Sequence, residues 1–303
     1  MVLVRAQRVG QPLDQDSCTL AVGGAESNVA IGLSRLGHQV RWIGALGSDA
    51  FGDMVESVLL RENLEVVAHR SPERPTGLMV KSPSVGSERF VSYYRAGSAA
   101  TELDASSVSD DILSDARMIH LTGITPALSE AAQTMTVDVA QRAKSRGVTV
   151  SFDVNYRSAL WPRERAAPVL RQIAGHADLI FGELGELELL VDDPPANERD
   201  LLDSVAALGA RHVVLKRGER GAVALVGGEL YEESAIPVDV VDTVGAGDAF
   251  VAGYLSGVLD SLEVGDALRR GVICGGLACR NPGDWEGAPT REELDAVRMD
   301  MVL

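Results

Sequence analysis

The chain lacks most of the features that would place it in other classes. It has only three cysteines, Cys18, Cys274 and Cys279, with no CxxC pair. An odd number without that spacing gives no disulfide framework, so free thiols in a reducing cytoplasm are expected. Positive charge is also scarce: 28 Lys and Arg stand against 44 Asp and Glu, a net charge of −16. The far field of so acidic a protein repels polyanions, which argues against a general nucleic-acid binder or an anionic-membrane binder. No apolar run reaches the ~18 residues of a membrane span, and the first residues lack the long apolar core of a signal peptide. Familiar catalytic motifs are missing too. There is no Gly-Lys-Ser/Thr phosphate loop, no HExxH, no GxSxG and no GxGxxG after a strand near the start. The histidines (His38, His69, His120, His176 and His212) show no metal-ligand spacing and read as ordinary surface or core residues.

What is present is enough apolar material for a large core. The 303 residues are 46% hydrophobic and 24% charged, which fits one large α/β domain with an appendage. One unit recurs: a helical pattern, a glycine, then a short β-branched run. It appears around Gly37, Gly147 and Gly209, each glycine supplying the left-handed residue that ends a helix before a buried strand. Further strands are expected at Met118–Thr122 and Leu179–Phe181. Such alternation predicts a mainly parallel sheet with helices on both faces. Two stretches break it. Gly77–Arg95 reads as two strands joined by a Pro/Ser/Gly turn, and Met1–Val22 has few helix signals. Together, residues of about 1–20 and 66–98 are expected to form a small β-layer projecting from the single domain.

Two local patterns carry chemistry. In Asp242-Thr243-Val244-Gly245-Ala246-Gly247-Asp248, small residues open a helical run. Unobstructed amides at a helix start, aided by its dipole, form a nest for an anion, phosphate above all. Asp248 lies about one turn on, and a carboxylate beside an anion site makes sense if it takes a proton from a hydroxyl that attacks phosphorus. Taken alone, the pattern is equally a glycine-rich helix start with Asp248 as a dipole partner. The second pattern, Gly23-Gly24-Ala25-Glu26-Ser27-Asn28, precedes a helix with an apolar face of Val29, Leu33 and Leu36. Paired glycines let a ligand approach the backbone, and Asn28 can donate to and accept from hydroxyls. A tight turn with Ser27 as helix cap is the plainer alternative.

These two patterns, in this order and roughly 220 residues apart, resemble the two signatures of the PfkB carbohydrate kinase family, and the pattern between them agrees along the chain. The resemblance implies a ribokinase-like three-layer α/β/α domain with a β-sheet lid, using ATP and Mg²⁺. Asp248 then falls at the general base, and Gly245, Ala246 and Gly247 at the anion hole. Lys216, Gly218 and Gly221 match the loop beside the nucleotide, joined by Asn155 and Arg157. Glu186 matches the acidic residue of an element near Mg²⁺, reaching the ion through water, although Glu183 replaces the usual asparagine of that element.

Within the family the chain is most similar to kinases of 2-keto-3-deoxygluconate. The pieces that carry this are GGAESNVA, Tyr93–Ala100, Gly123–Leu128, Phe152–Arg157 and Gly283–Trp285. It implies sugar-acid contacts from Gly24, Ala25, Glu26, Ser27, Asn28, Tyr93, Arg95, Arg157 and Asp284, with Met79 where some relatives carry a tyrosine. The physics agrees: Tyr93 and Arg95 share one face of a strand, and an arginine can hold a carboxylate through two parallel bonds. Alternatives are a solvated Arg95 paired with a surface acid and an Arg157 paired with Asp153. Competing functions are a fructokinase, ribokinase or nucleoside kinase of the same family, or an inactive sugar-binding sensor. The resemblance also implies that Met1–Val4 follow the position of a first central strand, whose absence would leave ladder groups unpaired. Edge pairing of the lid predicts a homo-oligomer.

Overall fold

The structure is a computed structural model and describes residues 1–6, 18–81 and 91–300, without the side chains of residues 298–300. In chain order, strands β1 (Val2–Ala6) and β2 (Cys18–Val22) are followed by helix α1 (Ala25–Arg35). Next come β3 (Arg41–Gly47), α2 (Ala50–Arg61), β4 (Glu65–Ser71), β5 (Leu78–Lys81) and β6 (Val91–Tyr94). Helix α3 (Asp110–Ser114) leads to β7 (Met118–Thr122), α4 (Glu130–Ser145), β8 (Thr149–Asp153), α5 (Arg163–Ala174) and β9 (Leu179–Gly182). The last third runs through α6 (Leu184–Leu187), α7 (Glu198–Ala206), β10 (His212–Lys216), β11 (Ala222–Val226) and β12 (Glu229–Glu233). It ends with α8 (Ala246–Leu259), α9 (Val264–Ala278) and α10 (Arg291–Asp300).

The recurring unit folds as its chemistry requires. Gly37, Gly147 and Gly209 all have positive φ, 88°, 75° and 115°, and each is followed within a few residues by a strand, β3, β8 and β10. A six-stranded sheet runs in the order β12-β11-β10-β9-β8-β7. Strands β7 to β10 are parallel, and β11 and β12 extend them antiparallel. Because successive strand residues face opposite sides, Leu179 and Phe181 pack under α8 and α9, while Ile180 packs against α4 and α5. This gives helix, sheet and helix layers.

Two features differ from a single parallel sheet. Strands β3 and β4 pair in parallel as a separate two-stranded sheet, and among the described residues no ladder joins β3 to β7. Helix α1 touches both strands and spans the interval. Residues 66–71, expected in the small layer, belong instead to β4: their ladder groups are taken by Trp42–Gly47 of β3.

The small layer itself is a four-stranded sheet in the order β2-β1-β5-β6. Strands β5 and β6 are antiparallel, with Met79 opposite Tyr93. Their connecting turn, like residues 7–17, lies outside the described residues. No helix among the described residues is long and apolar enough to cross a membrane.

Candidate active site

The two glycine turns, far apart in sequence, meet. Helix α8 starts from Gly245, which has φ 77° and caps it. A side chain there would be strained by the backbone and would also strike the carbonyl of Asp284, 1.7 Å from an added Cβ. Gly23 presses on the other side of the same residue, its added Cβ falling 2.3 Å from Asp284 Oδ2 and 2.5 Å from Met79 Cε. Asp284 is thus wedged between the turn that opens α1 and the turn that opens α8. Across this junction Asn28 donates its side-chain amide to Asp248 Oδ2 at 2.7 Å.

The α8 turn has the makings of an anion site. The first amides of a helix have no carbonyl one turn back, and here Gly245, Ala246 and Gly247 leave them uncovered by side chains. Lys216, at the end of β10, brings a cation to the edge: its Nζ lies 4.0 Å from a Cβ built on Gly247. Both oxygens of Asp153, at the end of β8, accept from Lys216 at 2.8 Å, and Glu186 is 4.0 Å away. Burial works against the lysine charge, yet Asp153 and Glu186 outweigh it and hold the Lys216 pKa above its ordinary value. The Asp153–Arg157 ion pair considered from the sequence is therefore not formed; Asp153 serves Lys216, and Arg157 is exposed.

Asp248 is the most chemically unusual group here. Burial pushes its pKa up to about 7, the Asn28 hydrogen bond pulls it down, and nearby Asp153 raises it further. A carboxyl with that value exchanges protons near neutrality. Asp284 is likewise raised by burial, to about 6, with Lys81 acting against the shift.

On the sugar-contact side, Gly24 caps α1 with φ 145°, and Ala25, Ser27 and Asn28 are buried in its first turns. Ser27 accepts from the indole of Trp42 at 3.1 Å and caps nothing. Glu26 points to β7 and the turn after it: its Oε1 accepts from the hydroxyls of Thr122 at 2.6 Å and Thr125 at 2.7 Å. Arg95 follows β6 and is only 7% exposed. Its guanidinium lies over the Tyr93 ring, 4.2 Å from the centroid, and its Nε has no hydrogen-bond partner. Among the described residues no carboxylate forms an ion pair with it, and its burial differs from the solvated arginine of the alternative reading. Burial lowers its pKa, with Glu26 opposing and Arg157 adding to the shift. Tyr94 points away, as alternation requires.

Asn155 and Glu186 are further residues expected on the nucleotide side. Asn155 has φ 38°, and its Oδ1 is buried without a partner. Asn28 Oδ1 and Ser98 Oγ are buried and unpartnered too. Buried polar atoms are normally satisfied, so each of these can take a hydrogen bond from a ligand. The Glu186 oxygens accept the amides of Tyr156 at 3.0 Å and Glu183 at 2.8 Å. Gly218 and Gly221, both with positive φ, shape the loop from β10 to β11. Asp153, Thr122, Thr125 and Lys81 are absent from the sequence-derived contacts, because only the folded chain brings them to the site; Asp242 opens the Asp242–Asp248 pattern but has no role of its own in that reading.

The sequence matches the family described as pfkB family carbohydrate kinase over residues 2–291. The chain belongs to that family. It is 37% identical over 298 residues, 97% of this chain and 91% of the other, to the 2-dehydro-3-deoxygluconokinase of Bacillus subtilis. The crystal structure of 2-dehydro-3-deoxygluconokinase from Thermotoga maritima superposes with a TM-score of 0.90 at 24% identity, covering 99% of this chain and 97% of that one. An Escherichia coli protein described as a putative ribokinase II, solved with ATP and Mg²⁺, gives the same TM-score and identity over 99% and 96% of the two chains. The fold is ribokinase-like, and this pfkB-family chain is a carbohydrate kinase.

Proposed function

We propose that this kinase transfers the γ-phosphoryl group of ATP to the terminal hydroxyl of 2-keto-3-deoxygluconate, giving the 6-phosphate. The observation that carries the substrate reading is Arg95: a buried guanidinium that forms no ion pair with a carboxylate among the described residues, in a chain of net charge −16. An uncompensated buried cation is unfavourable unless an anion arrives. A sugar acid supplies one. The 37% identical Bacillus subtilis relative bears the name of this activity.

In this reading Arg95, aided by Arg157, receives the substrate carboxylate, and Tyr93 flanks it. Gly24, Ala25, Glu26, Ser27, Asn28 and Asp284 line the sugar, with Met79 in place of one hydroxyl contact. Asp248 takes the proton of the terminal hydroxyl while the new O–P bond forms and the bond from the γ-phosphorus to the bridging oxygen breaks, so that ADP leaves. The amides of Gly245, Ala246 and Gly247 stabilise charge on the transferring group, and Lys216 with the Asn155, Arg157 and Gly218–Gly221 segments borders the nucleotide. Lid action of the small sheet excludes water as a competing acceptor.

The donor set fits Mg²⁺ rather than a caged metal. Among the described residues no three His, Cys, Asp or Glu can enclose an ion, and Mg²⁺ bound with ATP takes one or two carboxylates plus phosphates and water. Glu186 would hold it through water, since its oxygens already accept two backbone amides. When bound, the ion would neutralise charge on the phosphates. The outer face of the small sheet carries Leu20 and Tyr94, 48% and 64% exposed, which supports pairing with a second copy.

A coupled ADP-release assay over sugars and sugar acids tests the reading. 2-Keto-3-deoxygluconate should be turned over far better than fructose or ribose. Arg95→Leu should raise its KM about 10- to 100-fold, as expected for a lost charged hydrogen bond. A wild-type preference for neutral sugars, untouched by Arg95→Leu, would sink the assignment.

A further inference from the structure

The ion pair between Lys81 and Asp242 ties the start of the Asp242–Asp248 stretch to the small sheet, and the proposed reaction does not use it. Lys81 is the last residue of β5, flanked in the small sheet by Arg5 and Val91. Its Nζ lies 2.5 Å from Asp242 Oδ2, and both side chains are largely buried. The other Asp242 oxygen accepts the amide of Val244 at 3.2 Å. The amides of Val241 and Asp242 are held by the carbonyl of Cys279, just past α9. Asp242 therefore shapes the turn that delivers Gly245, while a cation from a different sheet, 161 residues away in sequence, grips it from outside.

We propose that Lys81 is a positioning residue for the phosphate-binding turn. It fixes Asp242, Asp242 fixes the backbone leading into Gly245, and the seating of the small sheet thereby sets nucleotide affinity. Two properties favour this over a passive surface pair. The contact is largely buried, so removing the lysine takes a cation from a buried carboxylate that also holds the Val244 amide, and lets the turn relax. It also joins the small sheet directly to the segment that leads into the α8 turn. The inference rests on the nucleotide half of the proposed function and is independent of which sugar is used.

Calorimetric titration with the ATP analogue AMPPNP and Mg²⁺, without sugar, tests it on the intact protein. Lys81→Met and Asp242→Asn should each weaken binding about tenfold. The double variant should be no weaker than the worse single one, because both break one contact, and Lys81→Arg should restore affinity to within about threefold. Should Lys81→Met fail to fold, Lys81→Gln, which keeps a donor without the charge, is read in the same way. Three results would overturn the proposal: unchanged affinity, losses that add in the double variant, or tighter binding by Asp242→Asn. The last would mean that the two charges act only through their field. Wild-type protein that binds AMPPNP but phosphorylates no sugar acid would remove the substrate assignment and leave this test intact.

Discussion

The two sides of the candidate site are built in opposite ways. The side proposed for the nucleotide centres on a short contiguous stretch, Asp242–Asp248, whose parts nearest the reaction are backbone amides and the Asp248 carboxyl. The side proposed for the sugar gathers side chains from α1, the end of β6, the turn after β7 and the segment around Asp284. A backbone-built site depends on turn shape and on the lack of a Cβ at a few positions. A side-chain site depends on each group separately, and on the packing that aims it. Damage should therefore be nearly all-or-none on the first side and graded on the second.

Asp248 belongs to both sides through its bond with Asn28, and its loss gives the largest expected effect. Asp248→Asn keeps the shape and removes the base, so kcat should fall about 10²–10⁴-fold, with AMPPNP affinity little changed. Its stability should move the other way. Asp248 has a higher pKa folded, about 7, than its ordinary 3.8, so the folded state binds the proton more tightly. This group's contribution is most favourable below about pH 4 and is lost as pH rises through 7. The asparagine variant should therefore melt above wild type at pH 8, with the gap closing towards pH 5. A variant with full turnover, or one that melts below wild type at pH 8, would break the view that catalysis and stability oppose each other at this residue.

The pH profile of the wild type sharpens the same point with a smaller effect. A base must be ionised to act, so kcat/KM for the sugar acid should fall about tenfold per unit as pH drops below about 7. Asn28 donates to the ionised form and lowers this value; removing it in Asn28→Ala should carry the acid limb to higher pH. A limb that stays in place would detach the titration from Asp248.

The same contrast explains what could be read in the sequence. The helix–glycine–strand units were legible because helix ends with positive φ and buried β-branched runs are local properties; Gly37, Gly147 and Gly209 all behave accordingly. The α8 turn was legible for the same reason. The partition of strands was not: residues 66–71 read as part of the small layer, and only their pairing with β3 assigns them elsewhere. Nor was the partner of Asp153, because Arg157 is near in sequence while Lys216 arrives from β10, 63 residues on. Thr122 and Thr125 look like ordinary strand-end and turn residues until Glu26 is placed between them.

Those two threonines offer the finest probe of the sugar-facing side. Glu26 Oε1 receives both hydroxyls, which fixes the carboxylate in the first turn of α1 and leaves Oε2 for another group. Removing one hydroxyl leaves the other in place, so the carboxylate should loosen rather than turn away. A net hydrogen bond is worth about 0.5–1.5 kcal/mol, which corresponds to roughly a two- to tenfold rise in KM for the sugar acid in Thr122→Val or Thr125→Val. Neither variant touches the α8 turn, so the KM for ATP and the acid limb of the pH profile should stay where they are. The double variant should exceed the sum of the singles on a free-energy scale, because only then does Glu26 lose both anchors. Equal losses for ATP and sugar acid would show that the two sides are not separable, and the contrast between them would fail at its most sensitive point.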